Sequence, residues 1–385
     1  METSEKSDLY AEKLSLTESE FEEISDSFSQ RNYDGKNYYY YPDYTAKIER
    51  GTVLIDGEVV RGFPKIPRTL VLEEGVPRYF DDTVVVEEKM NGYNTRVVRL
   101  EDLGVVAFTR GGIICPFTTH KVKNWLDLGS FFDDHPDKML CGEMTGKENP
   151  YTAHDYSGIE SLEFLAFDIR DRGSGDSVEV DERRNLCESY GFPQVPFKGK
   201  FDADETDGIK EVIESLNAQG REGVVMKTED VSNQLKYTTS AANQGDLSYA
   251  FSLPFDYGQD FMFRRIVREA FQAVEWEEEV SERADSLGEA ILGSMVDAIH
   301  EVEEGENIGE RHTVRGESEV IEELLEHLRD LGVQLVIERD EKDGSDGDGD
   351  GDDDRDDERV VTFVKKMQST KDKTESYLEG QIVRG

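Results

Sequence analysis

Glu87-Glu88-Lys89-Met90-Asn91-Gly92-Tyr93-Asn94-Thr95-Arg96 carries the densest chemical information in the chain. It follows Val84-Val85-Val86, a β-branched run that predicts a buried strand. Asn91-Gly92 signals a tight turn, and Thr95–Leu100 and Val105–Thr109 read as the next two strands. A lysine at the end of a buried strand, just ahead of a glycine turn, is well placed as a nucleophile. An ordinary lysine, with a pKa of about 10.4, is almost wholly protonated and cannot attack. Burial and a neighbouring cation lower that value, and a metal-bound triphosphate supplies an electrophile. Taken alone, Lys-x-Asn-Gly occurs often by chance and fits a surface β-turn better than a nucleophile.

Outward from this stretch, residues 67–240 are strand-rich, with apolar runs at Phe164–Ile169 and Gly223–Met226 and a helix expected near 207–218. The fold class read from this pattern is α+β, dominated by antiparallel sheet. Upstream, Thr17 and Glu20 form a capping box ahead of Phe21 and Ile24. The run Tyr38 to Tyr41 suits either base stacking or a core, and short β-like pieces follow at Thr52–Ile55 and Glu58–Val60. Arg61 to Arg68 is a basic, proline-containing connector into the main domain.

Beyond 245 the period changes. Phe261, Ile266, Val267, Ala270, Phe271 and Val274 fall at helical spacing, as do Leu287, Ile291, Leu292, Met295, Val296 and Ile299. A third helix is expected over Glu317–Leu331, with strands at Val333–Ile337 and Val360–Val364 pairing across a Gly/Asp-rich insert. The predicted modules are 1–66, 67–244, 245–314 and 315–385, the last interrupted by a disordered, solvated acidic loop at 340–358. Asp346, Asp348 and Asp350 ahead of Gly351 imitate a calcium loop, but Asp353 stands where an apolar residue is needed.

The chain's 385 residues hold 86 Asp and Glu against 44 Lys and Arg, a formal charge of −42. Acid is spread along the whole length, the pattern of a halophile surface, where molar salt screens repulsion over about 3 Å. Global charge therefore does not exclude a nucleic-acid substrate. Three separated cysteines, no 18-residue apolar run and no secretory pattern at the N-terminus predict a soluble cytoplasmic protein without membrane contact. The six histidines make no zinc spacing.

Lys89 does not stand alone. Thr109-Arg110-Gly111-Gly112, Cys141-Gly142-Glu143-Met144, Phe164-Leu165-Ala166-Phe167-Asp168-Ile169, Arg221-Glu222-Gly223-Val224-Val225-Met226-Lys227 and Gln234-Leu235-Lys236-Tyr237 follow in order. This ordered set resembles the covalent nucleotidyltransferase superfamily of ATP-dependent ligases and capping enzymes. DNA ligases and capping enzymes usually carry Lys-x-Asp-Gly-x-Arg, whereas Asn91 and Asn94 stand here. Asparagine at the second position looks like RNA ligases. Gly62 to Ile66, Glu148 to Tyr151 and Lys236-Tyr237-Thr238 extend the likeness to the archaeal homodimeric ATP-dependent RNA ligases.

The resemblance implies an ATP-grasp-like ligase catalytic domain, flanked by N-terminal, helical dimerisation and small α/β C-terminal modules. It implies ATP as cosubstrate with Mg²⁺ or Mn²⁺, single-stranded RNA ends as substrate, circularisation among the products, and a homodimer. By the same likeness Lys89 takes up AMP, and Glu143 and Glu222 suit the metal. Arg110, Lys227 and Lys236 suit the sugar and phosphate oxygens, Asn94 the phosphates or RNA end, Glu87 the adenine, and Phe164 stacking on the base. Phe167 competes with Phe164 for stacking, and Asp168 reads more readily as structural. Arg96 shares a strand face with Asn94, which suggests a phosphate contact. Gln234 departs from the paired lysines usual in the last motif, so only Lys236 carries over. The helical stripe suits either a dimer interface or packing on the same chain. A DNA ligase, a guanylyltransferase and a non-catalytic nucleotide- or RNA-binding dimer are the competing readings.

Overall fold

The computed structural model describes residues 4–45, 47–152, 158–342 and 358–382. Helix α1 (Ser4–Lys13) leads into α2 (Glu18–Ser25), whose capping box closes as expected: the Glu20 N–H donates to Thr17 Oγ1 and the Thr17 N–H to Glu20 Oε2. A meander of β1 (Ser29–Tyr33), β2 (Lys36–Tyr40), β3 (Val53–Ile55) and β4 (Glu58–Val60) follows. Tyr38 and Tyr41 are buried in the cores on its two sides, and the Tyr38 hydroxyl accepts from the Ile114 N–H at 3.2 Å. Those two tyrosines are core residues and offer no stacking surface.

After α3 (Leu72–Tyr79) come β5 (Thr83–Glu88), β6 (Tyr93–Leu100), β7 (Gly104–Thr109), α4 (Pro116–Trp125), α5 (Leu128–Asp134) and β8 (Lys138–Gly146). Then follow β9 (Leu162–Asp171), α6 (Val180–Ser189), β10 (Phe197–Asp202), α7 (Thr206–Ala218), β11 (Gly223–Lys227) and β12 (Gln234–Thr238). They build two four-stranded antiparallel sheets, ordered β10-β5-β11-β12 and β7-β6-β8-β9. Val84, Val85 and Val86 are fully buried, as the β-branched run requires.

β5 and β6 lie in different sheets, so Asn91-Gly92 does not close a hairpin. The 89–92 segment carries the chain from one sheet to the other, which sets Lys89 at their junction. Gly92 is needed for a close approach: a side chain there would collide with the Met144 carbonyl oxygen. Arg96 is wholly buried and donates to the carbonyl oxygens of Arg61, Gly51 (2.7 Å) and Thr109 (3.3 Å). It fastens the N-terminal meander to the β7-β6-β8-β9 sheet and is unavailable for the phosphate contact expected of it. Asp168 is likewise spent, on Arg170 at 2.8 Å and on the Ser177 hydroxyl.

Helices α8 (Ser240–Ser252), α9 (Gln259–Glu275) and α10 (Val280–Gly288) follow, and α10 runs through one π-turn at Glu289–Gly293 into α11 (Ser294–Glu303). Phe261, Ile266 and Leu287 pack inward on Leu247, Ala250, Met262 and Ala290. Val274, Phe263 and Leu292 stand outward, 80%, 65% and 63% exposed. The chain closes with β13 (Gly309–Glu317), α12 (Ser318–Asp330), β14 (Leu335–Lys342), β15 (Glu358–Lys366) and α13 (Gln368–Leu378). The two expected strands pair across the insert, each longer than its apolar run, but β15 is central and β13 forms its other edge. β13 begins before the 315 boundary and is hard to see in sequence, because Val314 is the one aliphatic residue it buries. Residues 343–357 of the acidic insert, with the calcium-loop imitation, lie outside the described residues.

Candidate active site

A cavity of about 360 Å³ opens between the β10-β5-β11-β12 and β7-β6-β8-β9 sheets. Lys89, Glu87, Asn94, Arg110, Glu143, Lys227 and Lys236 all line it, together with Phe63, Phe167 and Val225. The Lys89 N–H donates to the Gly223 carbonyl at 2.9 Å, which ties the end of β5 to the start of β11. Gly223 has φ +138, and a side chain there would strike the Tyr237 carbonyl oxygen. That turn carries Glu222, whose Oε1 lies 2.5 Å from Lys89 Nζ.

Glu143 sits on β8 opposite Asn94 of β6. Burial pushes its carboxyl up to about 7; Lys89 and Arg110 pull it down, and Glu222 pushes it further up. Two carboxylates close enough for one to raise the other are the donor type for a hard divalent cation. Among the described residues no group of three or more His, Cys, Asp or Glu side chains forms a metal site. Glu143 and Glu222 are the two side chains that would hold such an ion, and Mg²⁺ commonly makes do with one or two carboxylates. Because Glu143 must shed its proton first, Mg²⁺ affinity is expected to rise up to about tenfold per pH unit between about pH 5.5 and 7. Calorimetric titration showing a flat affinity over that window would contradict this placement.

Glu87 is almost fully buried, and its carboxylate is shared by three cations, Lys227, Arg183 and, at 3.5 Å from Oε1, Arg184. Lys227 Nζ donates to Oε2 at 2.8 Å, and Arg183 forms a close pair with Oε1. Lys227 and Arg183 also donate to the Phe167 carbonyl, at 2.8 and 2.7 Å. Burial alone would raise the Glu87 carboxyl, but Lys227 and Arg183 outweigh it and hold it below the ordinary range. Arg183 lies on α6 beside Arg184, and nothing in the sequence separates it from a surface residue.

Phe164 is 2% exposed, packs under Gly142 in the core against the helices, and does not line the cavity. Phe167 lines it, edge-on to Phe63 with ring centroids 5.1 Å apart. The two phenylalanines are three positions apart on one strand, so the two-residue alternation sends them to opposite faces.

Lys236 is pushed down to about 7 by burial first, then by Arg68, Lys89 and Arg110. Arg110 donates to the Tyr44 hydroxyl at 3.0 Å and to the Pro64 carbonyl at 3.4 Å. Two amide oxygens in the cavity wall, Asn94 Oδ1 and Gln234 Oε1, are buried without a partner. Buried polar atoms in this state mark positions where a ligand completes the hydrogen bonding. Gln234, set aside as a departure from pattern, thus belongs to the wall as much as Lys236 does.

Residues 82–238 match the RNA ligase family model, and residues 249–381 match the model described as the Ligase Pab1020 C-terminal region. A solved archaeal ATP-dependent RNA ligase is 38% identical, with a TM-score of 0.88 over 98% of this chain and 99% of the other. The chain belongs to the archaeal ATP-dependent RNA ligase family. Within that family's wider reach, a protein of uncharacterised function from Methanocaldococcus jannaschii is 40% identical over 382 residues, covering 95% of this chain and 91% of its own. A solved chain from Aquifex aeolicus, provisionally called an ATP-dependent DNA ligase, is 29% identical with a TM-score of 0.86, over 96% of this chain and 100% of that one.

Proposed function

We propose that this family member joins RNA 5′-phosphate and 3′-hydroxyl ends through lysyl-AMP and RNA-adenylate, and circularises single-stranded RNA when both ends belong to one molecule. The observation that carries the reading is Lys89 Nζ, 2.5 Å from Glu222, inside a cavity walled by Arg110, Lys227 and Lys236. In the first step the Lys89 nitrogen attacks the α-phosphorus of ATP; a P–N bond forms and the bond to pyrophosphate breaks. Glu222 holds Nζ and is the group placed to take its proton. In the second step an oxygen of the RNA 5′-phosphate displaces Lys89 from phosphorus. In the third the 3′-hydroxyl attacks that 5′-phosphate and AMP leaves. Arg110 and Lys236 offset charge as it gathers on phosphate oxygens. Lys227 keeps its contact to Glu87 and Phe167 and so holds the floor on which the base rests, with Phe167 in the stacking role first given to Phe164. A Mg²⁺ or Mn²⁺ ion held by Glu143 and Glu222 would neutralise charge on the transferring phosphate.

The Aquifex relative favours a second reading, joining of DNA ends. Matched RNA and DNA substrates decide between them: joining of RNA at least about tenfold faster, roughly 1.4 kcal/mol in the barrier, is expected. Equal or faster joining of DNA would overturn the RNA assignment. The acidic surface is taken as an adaptation to molar salt, so these assays belong in concentrated KCl.

The helical segment 245–314 is proposed as the dimerisation module, and a second copy of this chain as what covers Val274, Phe263 and Leu292. Their outward exposure on helices that already pack inward through another face supports this. A dimer mass by light scattering is expected for the wild type. A Val274→Asp, Leu292→Asp chain should be monomeric; an unchanged dimer would refute the interface.

A further inference from the structure

Arginines gather where β12 meets α9, outside the cavity already described. Residues 67–69 run alongside β12: the Lys236 N–H donates to the Pro67 carbonyl at 2.9 Å and the Thr69 N–H to the Lys236 carbonyl at 3.2 Å. Arg68 thereby stands abreast of Lys236, and its guanidinium donates to Thr238 Oγ1. Facing it from α9 is Arg268, whose one hydrogen-bond partner among the described residues is Asn243 Oδ1, at 3.4 Å. A narrow crevice lined by Arg68, Thr238, Asn243, Arg268 and Gln272 separates the two elements; its interior, about 10 Å³, has room for one water, so a larger anion would sit at its rim.

The charge balance of this crevice is unusual for the chain. Among the described residues neither Arg68 nor Arg268 has a salt-bridge partner, in a protein of net charge −42. Their neighbours Arg264 and Arg265 are paired, with Asp260 at 2.7 Å and Asp246 at 2.6 Å. Glu269 also lines the crevice but is spent on Arg283, Ser240, Asn243 and Gln244. Burial first, and then Arg68, depress the Arg268 guanidinium to about 10. Burial likewise lowers Arg68, while Glu222 and Asp246 pull it back up. Two guanidinium groups held together with no acid in direct ion-pair contact, Glu222 and Asp246 acting on them only from further off, indicate an anionic ligand.

We propose that Arg68 and Arg268, with Lys236 at their inner end, bind a phosphate group, and that this phosphate is the 5′ end of the RNA to be adenylated. The assignment rests on the RNA-ligase reading above. Its location favours RNA over the β- and γ-phosphates of ATP, which carry the same chemistry. The crevice opens at a part-exposed seam rather than within the nucleotide cavity, and a long polyanion approaching an acidic protein needs a local basic landing beside Lys89.

Fluorescence anisotropy of the full chain, without ATP, tests this with short single-stranded RNAs that differ only in a 5′-phosphate or 5′-hydroxyl. The wild type is expected to prefer the phosphorylated RNA by about tenfold, the gain of one charge-assisted pair. Arg68→Gln and Arg268→Gln should each erase most of that preference, Arg268→Lys should keep part of it, and Arg264→Gln should keep all of it. Circular-dichroism melting selects the folded variants. No preference in folded wild type, or full preference in both glutamine variants, overturns the proposal. An intact preference combined with a raised KM for ATP in lysyl-AMP labelling would assign the crevice to the nucleotide's phosphates and overturn the RNA assignment. The binding readout needs no chemistry. Failure of the ligase reading would instead show as missing lysyl-AMP in the wild type, so the two fail separately.

Discussion

Lys89→Ala is expected to lose ATP-dependent RNA joining by more than about a thousandfold, since the variant lacks the atom that accepts AMP. The same variant should still seal RNA supplied already adenylated, because Lys89 bonds to phosphorus only between the first and second steps. The two assays together separate a nucleophile from a residue that merely holds phosphate charge. Loss of both activities in a folded variant would assign Lys89 the holding role. Retention of ATP-dependent joining would remove it from the chemistry altogether. Glu222, 2.5 Å away, predicts a related but smaller effect: Glu222→Gln keeps the shape and removes the charge that pairs with Nζ.

Glu87→Ala should be strongly destabilising. It leaves Arg183 and Lys227 buried without their carboxylate, and breaking a buried ion pair from one side costs about 3–5 kcal/mol. Against a total of about 5–15 kcal/mol for a folded domain, urea denaturation should show the loss directly. The pH dependence has a definite sign. The Glu87 carboxyl is held below its unfolded value by Lys227 and Arg183, so its contribution is complete above about pH 5 and drains away as pH falls through the folded pKa. An unchanged urea midpoint with a raised KM for ATP would mean that Glu87 serves the adenine directly, the role the family likeness first implies.

What the sequence makes legible follows from how tightly each feature is fixed by residue type. Covalent adenylylation demands an amine, hard oxygen donors and cations, and these stand in order at Lys89, Glu143, Glu222 and Lys236; the structure brings all four to the junction of two sheets. Side-chain direction is less legible. Phe164 and Phe167 differ by one strand face, and only knowing which face meets the helices assigns the cavity to Phe167. Arg96 reads as a phosphate contact because it alternates with Asn94, yet it is consumed by the carbonyls of Arg61 and Gly51 in the N-terminal module and of Thr109 on β7, the first two across more than thirty residues that no local pattern carries. Arg183 is silent for the same reason. Its partner Glu87 lies 96 positions away. Among the strands, β13 escapes because its inward positions hold His312, Val314 and Gly316 in place of an apolar alternation.

The central claim is that Lys89 becomes covalently joined to AMP. Purified protein incubated with α-labelled ATP and Mg²⁺ or Mn²⁺ in concentrated KCl, then denatured and run on a gel, tests it most directly. Label retained on the wild type from ATP, absent from GTP and from Lys89→Ala, and released into RNA when 5′-phosphorylated ends are added, is the predicted result. Folded wild-type protein that takes up no label under any metal or salt condition would contradict it and leave a non-catalytic nucleotide- or RNA-binding protein in its place.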